Sequence, residues 1–345
     1  MRTELSTLGE FGLIDRIKKQ TTHQNFSTKK GIGDDAAVIC YETNSPHSLQ
    51  TLVSTDMLVE KVHFDLAYMP LKHLGYKAVA VNVSDIAAMN GTPQQITVSL
   101  AISNRFSLEA IDEFYAGVRA ACENYKVDLV GGDTTSSASG FVISITVLGF
   151  APAEKIVYRN TANDKDILCV TGDLGAAYLG LQLLEREKQE FLANPNMQPQ
   201  LETYQNLVRR LLKPEARMDI IYEFADLGVV PTSMIDISDG LASEILHICR
   251  QSNLGATIFE NKLPIDKQVY DVAINEFKLD PTVCALNGGE DYELLFTIKQ
   301  SDFDKIKNHE DISFIGYMNE KEGGVNLVTR ANSVLPIQAQ GWKHF

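Results

Sequence analysis

Seven aspartates stand at or near the ends of apolar segments: Asp34 and Asp35 after Gly33, Asp56 after Ser54-Thr55, Asp85 after Ser84, Asp133 between Gly132 and Thr134, and Asp236 and Asp239 in Asp236-Ile237-Ser238-Asp239. The flanking runs Leu52-Val53, Leu129-Val130 and Met234-Ile235 are short and apolar, so the carboxylates are expected at strand ends or first helical turns. A fold that gathers several of them must also attract cations, because two unit charges about 4 Å apart repel by roughly 4 kcal/mol at an effective dielectric of about 20. Carboxylate and hydroxyl oxygens suit a hard cation, and Mg²⁺ commonly combines a few carboxylates with substrate phosphates. Any one of these motifs alone also fits a turn or a helix N-cap. Five in one chain, with Ser54, Thr55 and Ser238 adding oxygen donors, favour a joint magnesium-phosphate site.

A chain of 345 residues exceeds the size at which one hydrophobic core stops growing, so two domains are expected. A formal charge of -14 argues against nucleic acid or an anionic membrane as partner, since both require clustered Lys and Arg. Five dispersed cysteines without a CxxC pair read as reduced core residues. Residues 1–20 carry acids among their apolar residues, and no stretch reaches the roughly 18 apolar residues of a membrane span, which points to the cytoplasm.

Val53 to Val59 reads as a short strand and Leu71 to Met89 as a helix with Leu71, Leu74, Ala78, Val81 and Ala88 at helical spacing. Asp85 falls four residues after Val81 and should face inward with that row, unusual for a carboxylate without a partner. Strands over Ile96 to Ile102 and Phe141 to Val147 flank a helix from Leu108 to Cys122, and the polar segment from Ala151 to Asp166 marks the domain boundary. Beyond it, Ile167 to Val170 runs as a strand into Gly172-Asp173-Leu174-Gly175 and a helix, a weak signal for close backbone approach. Lys188 to Gln200 reads as a surface insertion, Met234 to Ile237 as a buried strand with Asp239 at the start of the next helix, and Leu294 to Ile298 and Ser313 to Tyr317 as further strands.

No GxxxxGK[ST] loop occurs, nor HRD and DFG in order, which excludes the two commonest kinase architectures. Gly288-Gly289-Glu290-Asp291-Tyr292 sets a glycine turn and acids at the mouth of a strand, where a plain β-turn fits equally. His63 and Arg159 taken alone read as a loop histidine and a solvated charge, while Trp342, near the terminal Phe345, suggests packing against protein or a flat ligand.

In order, Gly31 to Ala37, Val53-Ser54-Thr55-Asp56, His63-Phe64, Ala80 to Met89, Gly131-Gly132-Asp133-Thr134-Thr135, Asp236 to Gly240 and Gly288 to Leu294 closely resemble the motifs of the thiamine-monophosphate kinase family, within the aminoimidazole-ribonucleotide synthetase superfamily. The match runs from Gly9-Glu10-Phe11 to the terminal Trp342-Lys343-His344-Phe345, and only Lys188 to Gln200 looks individual. The resemblance implies an α/β and α+β protein of two domains. Residues 1–150 would bind ATP and metal and form a barrel across a homodimer, while residues 151–345 would be an α+β domain completing the active site. It implies direct, Mg²⁺-assisted in-line transfer of the γ-phosphoryl group of ATP to thiamine monophosphate. Asp35, Ser54, Thr55, Asp56, Asp85, Asp133, Asp236 and Asp239 would hold several Mg²⁺ ions, with Asp85, Asp133 and Asp236 at the catalytic centre. Tyr115, Gly132, Asp133, Arg159 and Ser238 would contact ATP; His63, Glu290 and a stacking Trp342 would meet the acceptor; Asp34 would support the cluster. The chemistry is consistent with this, because an acceptor phosphate is already deprotonated and its approach to ATP requires positive charge rather than a general base.

Within that superfamily, selenophosphate synthetases carry an N-terminal Cys or selenocysteine with a nearby Lys, whereas the first cysteine here is Cys40. The hydrogenase-maturation enzymes end in a reactive cysteine, whereas this chain ends Lys343-His344-Phe345. A purine-pathway synthetase would fit the Gly-Asp motifs less closely. The alternative of a different class is a non-catalytic metal- or nucleotide-binding protein, or an acidic protein that binds Ca²⁺ structurally; a Ca²⁺ loop would gather its ligands within about a dozen residues, not over the span seen here.

Overall fold

The computed structural model describes residues 7, 9–41, 48–196 and 198–340, and two β-sheets organise them. Helix α1 (Gly9–Gln20) is followed by β1 (Thr28–Lys30), β2 (Ala37–Ile39), β3 (Leu49–Val59), α2 (Leu71–Ala88), β4 (Thr92–Ile102), α3 (Leu108–Tyr125), β5 (Asp128–Ser136) and β6 (Phe141–Pro152). These strands form one sheet in the order β1-β2-β3-β6-β4-β5. Period-2 alternation is plain in β6, where Phe141, Ile143, Ile145 and Val147 are buried and the residues between them are half-buried. Strands β3 and β6 pair antiparallel along their full length, from Leu49↔Pro152 to Val59↔Val142, so both are longer than their apolar cores suggested.

The remaining elements are β7 (Ile167–Thr171), α4 (Ala176–Ala193), α5 (Gln205–Leu212), α6 (Met218–Leu227), β8 (Ser233–Asp236), α7 (Leu241–Ser252), β9 (Leu254–Phe259), α8 (Lys267–Val272), α9 (Pro281–Asn287), β10 (Leu294–Ile298), α10 (Phe303–Ile306), β11 (Ile312–Glu320), β12 (Val325–Val328) and β13 (Val334–Pro336). The second sheet runs β13-β12-β9-β11-β7-β10-β8, antiparallel except where β12 meets β9. The segment read as an insertion begins as ordered helix: α4 continues to Ala193, and the Gln200 N–H returns to the Glu187 carboxylate at 2.9 Å.

Helix α2 departs from the amphipathic expectation. From Leu74 to Ala88 every residue is buried except Asp85, because the helix touches β3, β4 and β6 of the first sheet on one side and β8, α5 and α6 on the other. Its crossing with α3 is close: a Cβ on Gly75 would overlap the Phe114 carbonyl oxygen, and one on Gly117 the Lys72 carbonyl oxygen. Within the single chain the first sheet is open rather than a closed barrel. Strand β5 is its edge, exposed at all nine residues, including Leu129 and Val130. All five cysteines are free, four of them buried. Among the described residues no helix is long and apolar enough to cross a membrane.

Candidate active site

Three elements of separate origin deliver the central carboxylates. Asp35 sits in the turn between β1 and β2, Asp85 in the last turn of α2, three residues before Ala88, and Asp236 closes β8. One oxygen from each lies within 4.8 Å of the others. Hydroxyls and a guanidinium fix their orientation: Ser54 Oγ donates to Asp85 Oδ2 at 2.5 Å, Ser84 Oγ to Asp236 Oδ2 at 2.7 Å, and Arg159 grips Asp35 with Nε at 2.9 Å and a terminal nitrogen at 2.6 Å. The Arg159 N–H also reaches Asp34 Oδ1 at 3.2 Å, and Lys30 pairs with Asp34 at 3.0 Å, so Asp34 braces the turn from behind.

Burial, then mutual repulsion, raises the proton affinity of Asp85, Asp236 and Asp56. Asp85 is pushed well above the carboxylate range by desolvation and by Asp56, Asp236 and Asp35. Asp236 is pushed to about 7 and Asp56 to about 6, desolvation again leading, with Asp35 next for Asp236 and Glu290 for Asp56. Arg159 is one cation among four or more acids. Such a donor set, all oxygen and short of positive charge, fits hard divalent cations.

Strand geometry divides the β3 motif. Ser54 and Asp56 share one face, and the Asp56 N–H is held by Asn82 Oδ1 at 3.1 Å. Thr55 lies on the opposite face, its hydroxyl donating to the Ile145 carbonyl at 3.0 Å, so that hydroxyl is turned away from the cluster it was expected to join. Asp239 follows β8, its N–H held by Glu244 of α7 at 3.1 Å.

A cavity of about 610 Å³ opens beside the cluster, lined by Asp56, Asp85, Asp236, Ser238 and Asp239 at one end and by His63, Tyr68, Lys77, Glu185, Lys188 and Glu290 around the rest. His63 Nδ1 accepts the Val59 N–H at 3.0 Å, which assigns the proton of a neutral ring to Nε2. Glu290 is placed by a continuation of the β8–β10 pairing: the Ile237 N–H bonds the Glu293 carbonyl at 2.8 Å, the Tyr292 N–H the Ile237 carbonyl at 2.9 Å, and the Glu290 N–H the Ser238 carbonyl at 2.7 Å. Gly289, Glu290 and Tyr292 all have left-handed backbones, with φ of 69°, 62° and 52°. Two of the three are not glycine, a strain that recurs at functional sites.

Beneath this loop the chain answers its own glycine turn. Asp291 accepts the Gly175 N–H at 3.0 Å at the start of α4, and Glu293 accepts from Arg217 at 2.7 Å, Arg210 at 2.8 Å and Thr171 at 2.6 Å. The turn at 172–175 therefore receives side chains of the Gly288–Leu294 motif.

Other candidates lie apart. Gly132 and Asp133 are on the exposed edge strand β5, where Asp133 accepts its neighbour Thr134 N–H at 2.9 Å, outside the central cluster and the cavity lining. A Cβ on Gly132 would overlap the Val98 carbonyl oxygen, which accounts for glycine there. Tyr115 packs edge-on against Phe114 at 5.5 Å on α3, away from the cavity. Arg159, read alone as solvated, is instead largely buried in its ion pair with Asp35. Trp342 lies outside the described residues. Lys77, Asn82, Glu185, Lys188 and Glu244 were not singled out from the sequence; only the spacing of Lys77, eight residues before Asp85 on one helix face, signalled its place.

Residues 33–151 match the family described as AIR synthase related protein, N-terminal domain. A thiamine-monophosphate kinase of Bacillus subtilis (strain 168) is 35% identical over 350 residues, spanning 98% of this chain and 100% of the relative. A solved structure described as AaThiL complexed with AMPPCP and TMP is similar at a TM-score of 0.83 and 33% identity, with 100% of both chains covered. Hydrogenase maturation protein HypE in complex with ATP, 15% identical, shares the fold at a TM-score of 0.67 over 87% of each chain. With full-length identity of this order to kinases, and with the carboxylate cluster and cavity contributed by the same ordered motifs, the chain belongs to the thiamine-monophosphate kinase family.

Proposed function

We propose that this protein transfers the γ-phosphoryl group of ATP directly to thiamine monophosphate, giving ADP and thiamine diphosphate. The observation that carries the reading is the cluster of Asp35, Asp85 and Asp236, two of which line a cavity of about 610 Å³ with room for a two-ring acceptor. The similar AaThiL structure, with an ATP analogue and TMP bound, supports both substrates. Asp35, Asp56, Asp85, Asp236 and Asp239, with Ser54, would hold Mg²⁺ ions, which when bound supply the positive charge that lets two phosphates meet. Asp133 would join this set, and Gly132, Ser238, Tyr115 and Arg159 would serve ATP, once the edge strand β5 is brought against a second copy.

The chain's own residues align rather than react. Arg159, Ser54 and Ser84 hold the carboxylates in one orientation, so no reorganisation is required when charge develops on the transferring group. His63 offers an Nε2–H and Glu290 a carboxylate to the acceptor, and Trp342 would stack on it. We assign residues 1–150 as the ATP, metal and dimerisation domain and residues 151–345 as the domain completing the site, with a homodimer whose sheets pair through β5 and a cytoplasmic location. The exposed Leu129 and Val130 support the pairing, since a bare apolar edge favours another strand.

The test is thiamine diphosphate formation by the purified protein from ATP and thiamine monophosphate, with and without Mg²⁺, with free thiamine as control acceptor. Magnesium-dependent product from the monophosphate alone is expected. A folded protein that binds ATP and makes none would redirect the reading to another phosphoryl-transfer member of the superfamily.

A further inference from the structure

The largest fully buried side chains include one lysine. Lys77, 1% exposed, extends from α2 to contact two other elements: its Nζ donates to the Leu211 carbonyl of α5 at 3.4 Å and makes a short ion pair with Glu290 Oε2. Glu290 itself remains partly open to the cavity, and Tyr292 Oη approaches its second oxygen at 3.5 Å. A buried ion pair is a poor source of stability, because removing two charges from water offsets their attraction and apolar replacements often serve as well. Fold alone therefore gives little reason for an ammonium here.

Its position on the helix gives one. Lys77, Val81 and Asp85 follow one another at intervals of four residues, and all three line the cavity. At about 1.5 Å of rise per residue, the eight residues from Lys77 to Asp85 span roughly 12 Å. That length accommodates a phosphate and two linked heteroaromatic rings laid end to end. The ammonium is committed to the Glu290 carboxylate and the Leu211 carbonyl, so Lys77 is not a free substitute for the missing phosphate-loop lysine.

We propose that Lys77 is a positioning residue for the acceptor: by holding one oxygen of Glu290 it aims that carboxylate at the cationic ring system, while Asp85 at the other end of the same helical stripe marks the phosphate end. This rests on the kinase reading above. The acceptor then lies along α2, and Lys77 acts on its binding without touching the reacting atoms. The ion pair also restrains the left-handed backbone at Glu290 and so fixes the loop against which the rings rest.

The test compares Lys77→Met and Lys77→Arg with the wild type by steady-state kinetics at saturating Mg²⁺, varying each substrate, with a thermal melt of each protein. Lys77→Met is expected to raise the KM for thiamine monophosphate about tenfold, to leave the KM for ATP within about twofold, and to recover largely in Lys77→Arg. An unchanged acceptor KM in folded Lys77→Met, or an equal rise in both KM values, overturns the inference. Should Lys77→Met not fold, Glu290→Gln is compared with Lys77→Met/Glu290→Gln, where no carboxylate is left unpaired. The double variant is expected to match the single one in acceptor KM, and a further tenfold loss would show that Lys77 works through something other than Glu290. A wild type without acceptor-dependent ATP consumption would instead remove the kinase reading itself.

Discussion

Replacing Asp85 by Asn should separate the stability of the site from its chemistry. Asp85 is within 4.8 Å of both Asp35 and Asp236, and at that separation each pair of full charges repels by about 3.5 kcal/mol at an effective dielectric of about 20. Two such pairs amount to about 7 kcal/mol between full charges, and three features lower it. Arg159 neutralises much of Asp35, the crowded carboxylates relieve themselves by retaining protons, and Asn still accepts the Ser54 hydroxyl. A net gain of about 2 kcal/mol remains, worth roughly 3 °C of melting temperature for a chain of this size. Asp85→Asn is therefore expected to melt higher than the wild type in EDTA. Its response to Mg²⁺ should be the reverse, because a ligand present at 100 times its Kd stabilises by about 2.7 kcal/mol, and loss of the central carboxylate removes most of that. Turnover should fall by three orders of magnitude or more. Parallel melts of both proteins in EDTA and in Mg²⁺ with a non-hydrolysable ATP analogue, beside the thiamine diphosphate assay, read all three quantities. A variant that melts lower without metal, keeps the full Mg²⁺ shift and turns over normally would refute the assignment of this cluster as the cation site.

Glu293→Ala removes the shared partner of Arg210 and Arg217, leaving the buried Arg210 with only the more distant Asp173 while Arg217 keeps Asp219 and Asp311, and should destabilise by about 3 kcal/mol in urea unfolding. Gly132→Ala should lower thermal stability and activity together, since the new methyl overlaps the Val98 carbonyl oxygen in the strand that carries Asp133; a neutral result would mean β5 moves freely at that point. His247, against the Phe11 ring at 4.2 Å, is lowered from 6.5 to about 4 by burial, with Arg159 and Arg250 adding to the effect and Asp35 and Asp15 opposing it. Its folded form prefers the neutral ring, so the contribution is complete above pH 6.5 and is lost as pH falls toward 4, amounting to at most about 3 kcal/mol. Urea midpoints at pH 7 and pH 4.5 should converge in His247→Gln, and an unchanged acid slope in that variant would place the sensitivity elsewhere.

The elements whose burial follows one period were legible from the chain. Phe141 to Val147 alternates because β6 has one face on the core, and Asp85 was expected to face inward because it continues the row of Val81. The aspartate motifs named the chemistry by recurrence: each alone fits a turn or a helix N-cap, but five in one chain with adjoining hydroxyls favour a cation site. Local pattern reached its limit at α2, which is buried on every side, so the row facing the first sheet could not be told from the row facing the cavity. It also grouped Ser54, Thr55 and Asp56 as one ligand set, although pairing of β3 with β6 turns Thr55 to the other face.

What the sequence determined by itself was the inventory of acids and hydroxyls, because that depends on residues near in the chain; of the strand ends and first helical turns expected for them, Asp236 keeps such a place, whereas Asp56 and Asp133 lie inside β3 and β5 and Asp85 in the last turn of α2. What only the tertiary structure decided was company. Arg159 grips Asp35, Ser84 orients Asp236 and Lys77 meets Glu290 across separations of 124, 152 and 213 residues. Such partnerships arise when two sheets close on a shared helix, and no periodicity along the chain records them.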